Sequence, residues 1–115
     1  MRLVELKVTS LVQGDRIVLS VHGEIDLYTV PRLQRELASA LAQGGPVQLV
    51  IDLSGVDFCD SSGVNALLAA HRQAREGGGE LALASPRQAV RKILQVTGLE
   101  TVFTVIESPA HAVGR

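Results

Sequence analysis

The stretch from residue 47 to residue 71 constrains the fold more than any other part of the chain. Residues 47–53 are a nearly unbroken apolar run, which predicts a strand buried on both faces. After a short polar turn come Ser61 and Ser62, and then a row of side chains at the spacing of one helix face: Val64, Leu67, Leu68 and His71. The two hydroxyls therefore lie where a buried strand passes into a helix. Because the first N–H groups of a helix lack partners within it, a phosphorylated serine there would sit where an anion is favoured.

Composition and charge narrow the class of protein. The chain has 115 residues, of which 46% are hydrophobic and 20% charged, which predicts one folded domain rather than a disordered chain. The formal net charge is −1 with no basic block, which argues against nucleic-acid binding. No apolar stretch is long enough to span a bilayer, and residues 3–8 alternate as a strand does instead of forming a secretory signal. Since the single cysteine, Cys59, can form no internal disulfide, we expect a cytoplasmic protein without membrane contact.

The remaining patterns predict a single α/β domain over residues 1–115. Alternation predicts two strands, at 3–8 and 17–21, with a hairpin turn at Gln13-Gly14-Asp15 and with Gly23 ending the second strand. Helix and strand patterns then alternate in the overall order ββαβαβαβα, which implies parallel pairing. We expect a mixed sheet of about five strands with an N-terminal antiparallel hairpin, and about four helices. The strand order stays open.

Local signals predict where the helices begin. Thr29 is a candidate cap of the first helix, with Pro31 in its first turn. The tetrapeptide Ser85-Pro86-Arg87-Gln88 has the pattern of a capping box with proline at the first helical position. A last strand is expected at 102–106, and a short terminal helix from Ser108-Pro109.

Few other residues indicate chemistry. The three histidines, His22, His71 and His111, have no metal-ligand spacing, so we predict neither a metal site nor a cofactor. The glycines at 77–79 close a helix and open a strand, the reverse of the order that a phosphate-binding loop needs. Phe58 is expected in the core, with an exposed contact near Ser61 as the alternative.

Two motifs on this framework give the chain a resemblance to STAS domains, and more narrowly to the stand-alone bacterial anti-sigma factor antagonists. The first motif is Gly23-Glu24-Ile25-Asp26, and the second is residues 51–56 with Phe58, followed by Asp60-Ser61-Ser62-Gly63. Ser85-Pro86 with Val90, and Leu94 with Gly98-Leu99, also match, so the resemblance covers essentially the whole chain. Cys59 departs from it, since the family more often has methionine or isoleucine there, and Asn65 stands where glycine is common.

The resemblance implies a partner-switching regulator and not an enzyme. In that family the anti-sigma factor is itself a serine kinase. The unphosphorylated antagonist binds it and frees the sigma factor, and phosphorylation ends the binding. Carried over to this sequence, the acceptor is Ser61, with Ser62 ranked behind it. The family also implies a PP2C-type phosphatase, and we expect a monomer or weak dimer.

Five residues are assigned as facing the partner or kinase. Asp60, Ser62 and Gly63 flank the acceptor along the chain. Asp26 and Glu24 follow a strand whose end lies on the same side of the sheet, so Asp26 is expected near Ser61. Solvated loop acids are the alternative interpretation of Glu24 and Asp26, and simple helix capping is the alternative for the two serines.

Two other functions compete with this interpretation. A serine hydrolase using Ser61 would need a G-x-S-x-G elbow and a histidine base, and the sequence has neither in evidence. A STAS scaffold or ligand-binding module of a larger signalling assembly is the second alternative.

Overall fold

The computed structural model describes residues 5–108. The strands are β1 (Lys7–Gln13), β2 (Arg16–Ile25), β3 (Gln48–Cys59), β4 (Glu80–Ala84) and β5 (Thr104–Ile106). The helices are α1 (Val30–Leu41), α2 (Ser61–Glu76) and α3 (Gln88–Val96), with a 3₁₀ turn at Leu99–Thr101. Three α-helices lie within the described residues where the sequence predicted about four. The fourth, expected to begin at Ser108-Pro109, falls outside them.

The sheet has the simplest possible strand order, β1-β2-β3-β4-β5. β1 and β2 pair antiparallel, and every later pair is parallel, so the predicted mixed sheet with an N-terminal hairpin is confirmed. Each parallel pair is joined by one helix, and α1, α2 and α3 pack against one another in turn. Because successive crossovers of the same hand step in one direction, the helices cover one face of the sheet.

Alternation along the strands divides the core between the two faces. The larger apolar cluster lies under the helices and includes Leu19, Ile25, Leu53 and Leu67. A smaller cluster of Val18, Val50 and Ala84 lies on the other face. Neighbouring positions such as Val18 and Leu19 are both buried, so β2 and β3 are apolar on both faces, as the run at 47–53 predicted.

The strand ends differ from the sequence prediction. The first strand begins at Lys7 and extends to the Gly14 turn, because each residue from Lys7 to Gln13 pairs with β2; residues 3 and 4 lie outside the described part of the chain. Gly23 does not end β2 but lies within it at a φ of 120°. A Cβ there would be 3.1 Å from the carbonyl oxygen of Glu5, so the close approach of the preceding segment favours glycine. β3 runs to Cys59, well beyond the predicted end at residue 53.

The predicted capping box at α3 was wrong. The helix begins at Gln88, two residues later than predicted, with Arg87 at its cap position and no side-chain cap bond. The Ser85 hydroxyl instead donates to the carbonyl of Glu107, and Ser85 has a φ of 53°. The Ser85 side chain, which the local sequence assigned to the helix cap, is therefore bonded to the residue just after β5.

Candidate functional site

The site is the junction at which β3 ends and α2 begins. Asp60 is the N-cap residue of α2, with extended backbone dihedrals (φ −98°, ψ −173°). Its carboxylate accepts hydrogen bonds from the N–H of Ser62 at 2.9 Å and of Gly63 at 3.3 Å. These are the N–H groups that a helix leaves without partners, so Asp60 and neither serine is the residue whose side chain caps α2.

The two serines after Asp60 have different environments. The Ser62 hydroxyl donates to the Asp60 carboxylate at 2.5 Å, and the Ser62 side chain is half-buried. Ser61 is exposed, and its hydroxyl makes no hydrogen bond with any residue between 5 and 108. The first residue of α2 thus offers a hydroxyl that an enzyme can reach without breaking an internal bond.

Asp60 is held in its ionised form. The Ser62 hydroxyl bond is the main reason that the pKa of Asp60 lies below its usual value. Backbone N–H groups of Gly63, Ser62 and Leu27 lower this pKa further, while partial desolvation opposes them. A charge therefore resides permanently beside Ser61 at neutral pH.

The end of β2 meets the junction directly. The backbone N–H of Asp60 donates to the carbonyl of Ile25 at 3.0 Å, and the Leu27 N–H lies near enough to the Asp60 carboxylate to help lower its pKa. Gly63 packs tightly on the floor of the junction: a Cβ on it would be 2.5 Å from Ile25 Cγ2 and 2.6 Å from Cys59 Sγ. The sequence motifs around residues 23–26 and 60–63 are therefore one continuous site in the fold.

Glu24 lies within β2 and Asp26 directly follows it, and the hydrogen bonds at both residues hold the local backbone. The Asp26 carboxylate accepts from the N–H groups of Tyr28 at 2.9 Å and Thr29 at 3.0 Å. The Thr29 hydroxyl donates to the Glu24 carbonyl at 2.8 Å and accepts from the Asp26 N–H at 2.9 Å. Thr29 is at the N-cap position of α1 but makes no side-chain cap bond, whereas Pro31 is in the first turn as predicted. Asp26 thus shapes the turn that contains Leu27, and Glu24, near the end of β2, lies opposite Phe58.

The core prediction for Phe58 was wrong, and two neighbouring side chains were missed. Phe58 is 46% exposed, since the register of β3 against β2 shifts just before it and turns the ring outward. Leu27 and Tyr28 are 68% and 90% exposed in the turn that contacts Asp60. One signal was present in the sequence: these two large apolar residues precede the helical spacing that begins at Val30 and so belong to no predicted core.

Burial also shifts the pKa values of Cys59 and His71. Burial, with a smaller contribution from the Asp60 charge, raises the pKa of the Cys59 thiol to about 12. The His71 ring meets Phe103 edge-on at 5.4 Å, and burial, helped by Arg75 and Arg72, lowers its pKa. Its Nδ1 atom has no hydrogen-bond partner among residues 5–108.

Residues 5–108 contain neither a metal-binding cluster nor a membrane-spanning helix. No group of three or more His, Cys, Asp or Glu side chains in this range is placed to hold a metal ion. None of the helices in the same range is long and apolar enough to cross a membrane.

Known proteins have the same fold and are similar to this chain in sequence. The model of the STAS domain family matches residues 5–112. The anti-sigma F factor antagonist of Lysinibacillus sphaericus is 30% identical over 89 residues, which are 77% of this chain and 76% of that protein. The crystal structure of an anti-sigma factor antagonist from Mycobacterium paratuberculosis gives a TM-score of 0.84 at 30% identity, covering 94% of this chain and 91% of that one.

A third protein has been solved in two states. The anti-sigma factor antagonist SpoIIAA in its unphosphorylated form gives a TM-score of 0.78 at 25% identity, covering 94% of this chain and 92% of that one. The phosphorylated form of the Bacillus protein gives 0.72 at 24% identity, covering 94% and 96%.

Proposed function

The chain belongs to the STAS domain family, and we propose that within it the protein acts as an anti-sigma factor antagonist. Its unphosphorylated form binds an anti-sigma factor that is a serine kinase, and the sigma factor is released. Phosphorylation of Ser61 switches that binding off. The observation that carries the proposal is the exposed Ser61 hydroxyl at the start of α2, beside a neighbour whose hydroxyl is already bonded. The names of the relatives and the two solved states of SpoIIAA support it.

The proposed modification is a phosphoryl transfer from ATP bound to the kinase. The Ser61 Oγ attacks the γ-phosphorus, and an Oγ–P bond forms while the bond from that phosphorus to the β–γ bridging oxygen breaks. ADP leaves with the electron pair of the broken bond, and the hydroxyl proton passes to a base of the kinase. A PP2C-type phosphatase would reverse the state by adding water, which returns the hydroxyl and releases inorganic phosphate.

The fold of the antagonist should survive the modification. A phosphoserine carries about −1.5 to −2 charges, and the positive end of the 16-residue helix α2 favours a negative charge at its first turn. Ser61 is exposed, so its phosphate stays hydrated in the free protein. We therefore expect the switch to act on the interface and not on the folding of the domain.

The interface with the kinase is where the charge becomes costly. Ser61 must approach the nucleotide for transfer to occur, so the phosphate left on it faces the phosphates of ADP. It also adds to the charge of Asp60, with Glu24 and Asp26 at the adjoining end of β2. Like charges in a desolvated contact cost several kcal/mol, and about 4 kcal/mol corresponds to roughly a thousandfold in affinity.

This proposal carries several narrower assignments. The partner is a protein surface next to a nucleotide site, and the resetting enzyme is a PP2C-type phosphatase. The protein itself is a binding module without a catalytic role, free as a monomer or weak dimer. Its place of action is the cytoplasm, where a sigma factor meets RNA polymerase.

Intact-mass spectrometry tests the proposal. The protein is incubated with ATP and the anti-sigma factor kinase of the same organism, and a gain of one phosphate is expected. Ser61→Ala should abolish the gain and Ser62→Ala, the matched control, should retain it. In a pull-down with the same kinase, Ser61→Asp should bind at least a hundredfold more weakly than wild type. Phosphate on Ser62, or equally tight binding of Ser61→Asp, would contradict the proposal.

A further inference from the structure

A set of exposed apolar residues lies on the two chain segments next to Asp60. It consists of Leu27, Tyr28 and Phe58, which we call the apolar rim, and their side chains are 68%, 90% and 46% exposed. The whole chain contains only three aromatic residues, and two of them are in this cluster; the third, Phe103, is buried. A chain with so few aromatic side chains loses the burial of two of them by placing them in water.

The apolar rim is attached directly to the phosphoacceptor junction. Leu27 lies two residues after Ile25, whose carbonyl accepts from the N–H of Asp60 at 3.0 Å, and Asp60 caps the helix that begins at Ser61. Phe58 is two residues before Asp60 in the chain and pairs with Glu24 across the sheet. An enzyme that reaches the Ser61 hydroxyl must therefore come close to this cluster.

The backbone that presents the rim is held in place by hydrogen bonds. The N–H of Tyr28 donates to the Asp26 carboxylate at 2.9 Å, and the Thr29 hydroxyl bridges the turn between Glu24 and Asp26. Tyr28 is exposed on a fixed turn, so little backbone order has to be gained when a partner covers it. Preorganised tyrosines of this kind are frequent hot spots of protein interfaces.

The charges around the rim favour a specific kind of partner surface. Asp57, next to Phe58 in the chain, forms an ion pair with Arg87 at 2.9 Å, so these two charges compensate each other. Glu24 is half-buried and pairs with Phe58 across the sheet, and its carboxylate has no partner among residues 5–108. A complementary surface is therefore apolar at its centre and carries a basic side chain at the edge that meets Glu24.

We infer that the apolar rim is the docking anchor for the anti-sigma factor kinase, inserting Tyr28 and Leu27 into an apolar pocket beside its nucleotide site. This inference rests on the proposed function. The anchor supplies affinity and holds the kinase over Ser61, and the Ser61 phosphate ends the contact. Anchor and switch are separate groups, so a substitution in the anchor weakens docking without removing the acceptor.

Paired alanine variants test the anchor. Leu27→Ala and Tyr28→Ala are compared with Leu11→Ala, a leucine of similar exposure (55%) on β1, where it pairs with Val18 away from the junction. Val96→Ala, at the last residue of α3 and 76% exposed, is a second control. Thermal melts establish that each variant is folded. Calorimetric titration with the kinase and ADP measures Kd, and steady-state phosphorylation of Ser61 measures KM and kcat.

Each anchor variant is expected to raise Kd at least tenfold and to raise the KM for phosphorylation with kcat nearly unchanged. Both controls should stay within twofold of wild type. Anchor variants that bind like the controls, while Ser61→Asp still abolishes binding, would overturn the inference and leave the proposed function intact. A wild-type protein that neither binds the kinase nor gains a phosphate would refute the proposed function, and the inference with it.

Discussion

Replacing Asp60 with alanine should loosen the start of α2. The carboxylate accepts from the N–H groups of Ser62 and Gly63 and from the Ser62 hydroxyl, and the Leu27 N–H of the neighbouring turn lies near it. Removal of an N-cap costs about 0.5–2 kcal/mol, and we expect about 2 kcal/mol because this one also joins two segments of chain. For a domain of this size that corresponds to a fall in Tm of about 8 °C.

Urea denaturation followed by circular dichroism measures the loss. The matched control is Asp57→Ala, three residues earlier. It removes a carboxylate that forms a surface ion pair with Arg87. Since the side chains of Asp57 and Arg87 are 63% and 56% exposed, that pair should contribute less than about 0.5 kcal/mol. Equal losses in the two variants would refute the reasoning, because the cap bonds would then add nothing beyond an ordinary surface charge.

The pH dependence of the unfolding free energy separates the effect of the Asp60 charge from the effect of its hydrogen-bonding oxygens. Asp60→Asn keeps an oxygen acceptor and loses the charge. Because the pKa of Asp60 is lowered from 3.8 by folding, the charge stabilises the native state above that value and its contribution is lost as pH falls through the folded pKa. The difference in unfolding free energy between wild type and Asp60→Asn should therefore be constant between about pH 8 and pH 5 and shrink below about pH 4. A difference that grows on acidification would contradict the assignment.

Two further predictions concern the floor of the junction. Gly63→Ala should lower the free energy of unfolding, measured in urea, by about 1–3 kcal/mol, since its Cβ would lie 2.5 Å from Ile25 Cγ2 in a buried site. Gly77→Ala, whose nearest contacts are at 3.6 Å, is the control and should keep the stability of the wild type. Equal losses of stability in the two variants would refute the contact. Cys59, with a pKa of about 12 and a buried sulfur, should escape iodoacetamide at pH 8 in the native protein and react once unfolded, as intact mass would record. Rapid labelling of the native protein would contradict this environment.

The order of elements was predictable because it depends on short-range patterns. The helical face of α2, the Gly14 turn and the alternation of β2 each fit within a few residues, and the α/β order with its hairpin followed from them. The register of β3 did not follow. Its pairing with β2 shifts between Ser20 and His22 and again between Gly23 and Glu24, so two irregularities reset the alternation before Phe58. A single sequence does not reveal such shifts, and the ring predicted to be inside is outside.

The capping box at Ser85 failed for a similar reason at longer range. Its four residues satisfy the local rule, but the Ser85 hydroxyl binds the carbonyl of Glu107, and its N–H binds the carbonyl of Ile106. Both partners lie more than twenty residues further along the chain. A local pattern therefore fails to predict a cap where a distant segment bonds the same side chain.

The two adjacent serines show how geometry distinguishes residues that composition and spacing do not. The Ser62 hydroxyl is bonded to an ionised carboxylate at 2.5 Å, and a hydrogen bond to a charged group is worth about 1.5–3 kcal/mol. Attack by Ser62 on a phosphorus atom would first break that bond, which slows transfer by roughly ten- to a hundredfold relative to a free hydroxyl. A phosphate on Ser62 would also stand against the Asp60 carboxylate and destabilise the cap of α2. At Ser61 neither cost arises, so we propose that Asp60, which caps the helix, also directs the kinase to Ser61.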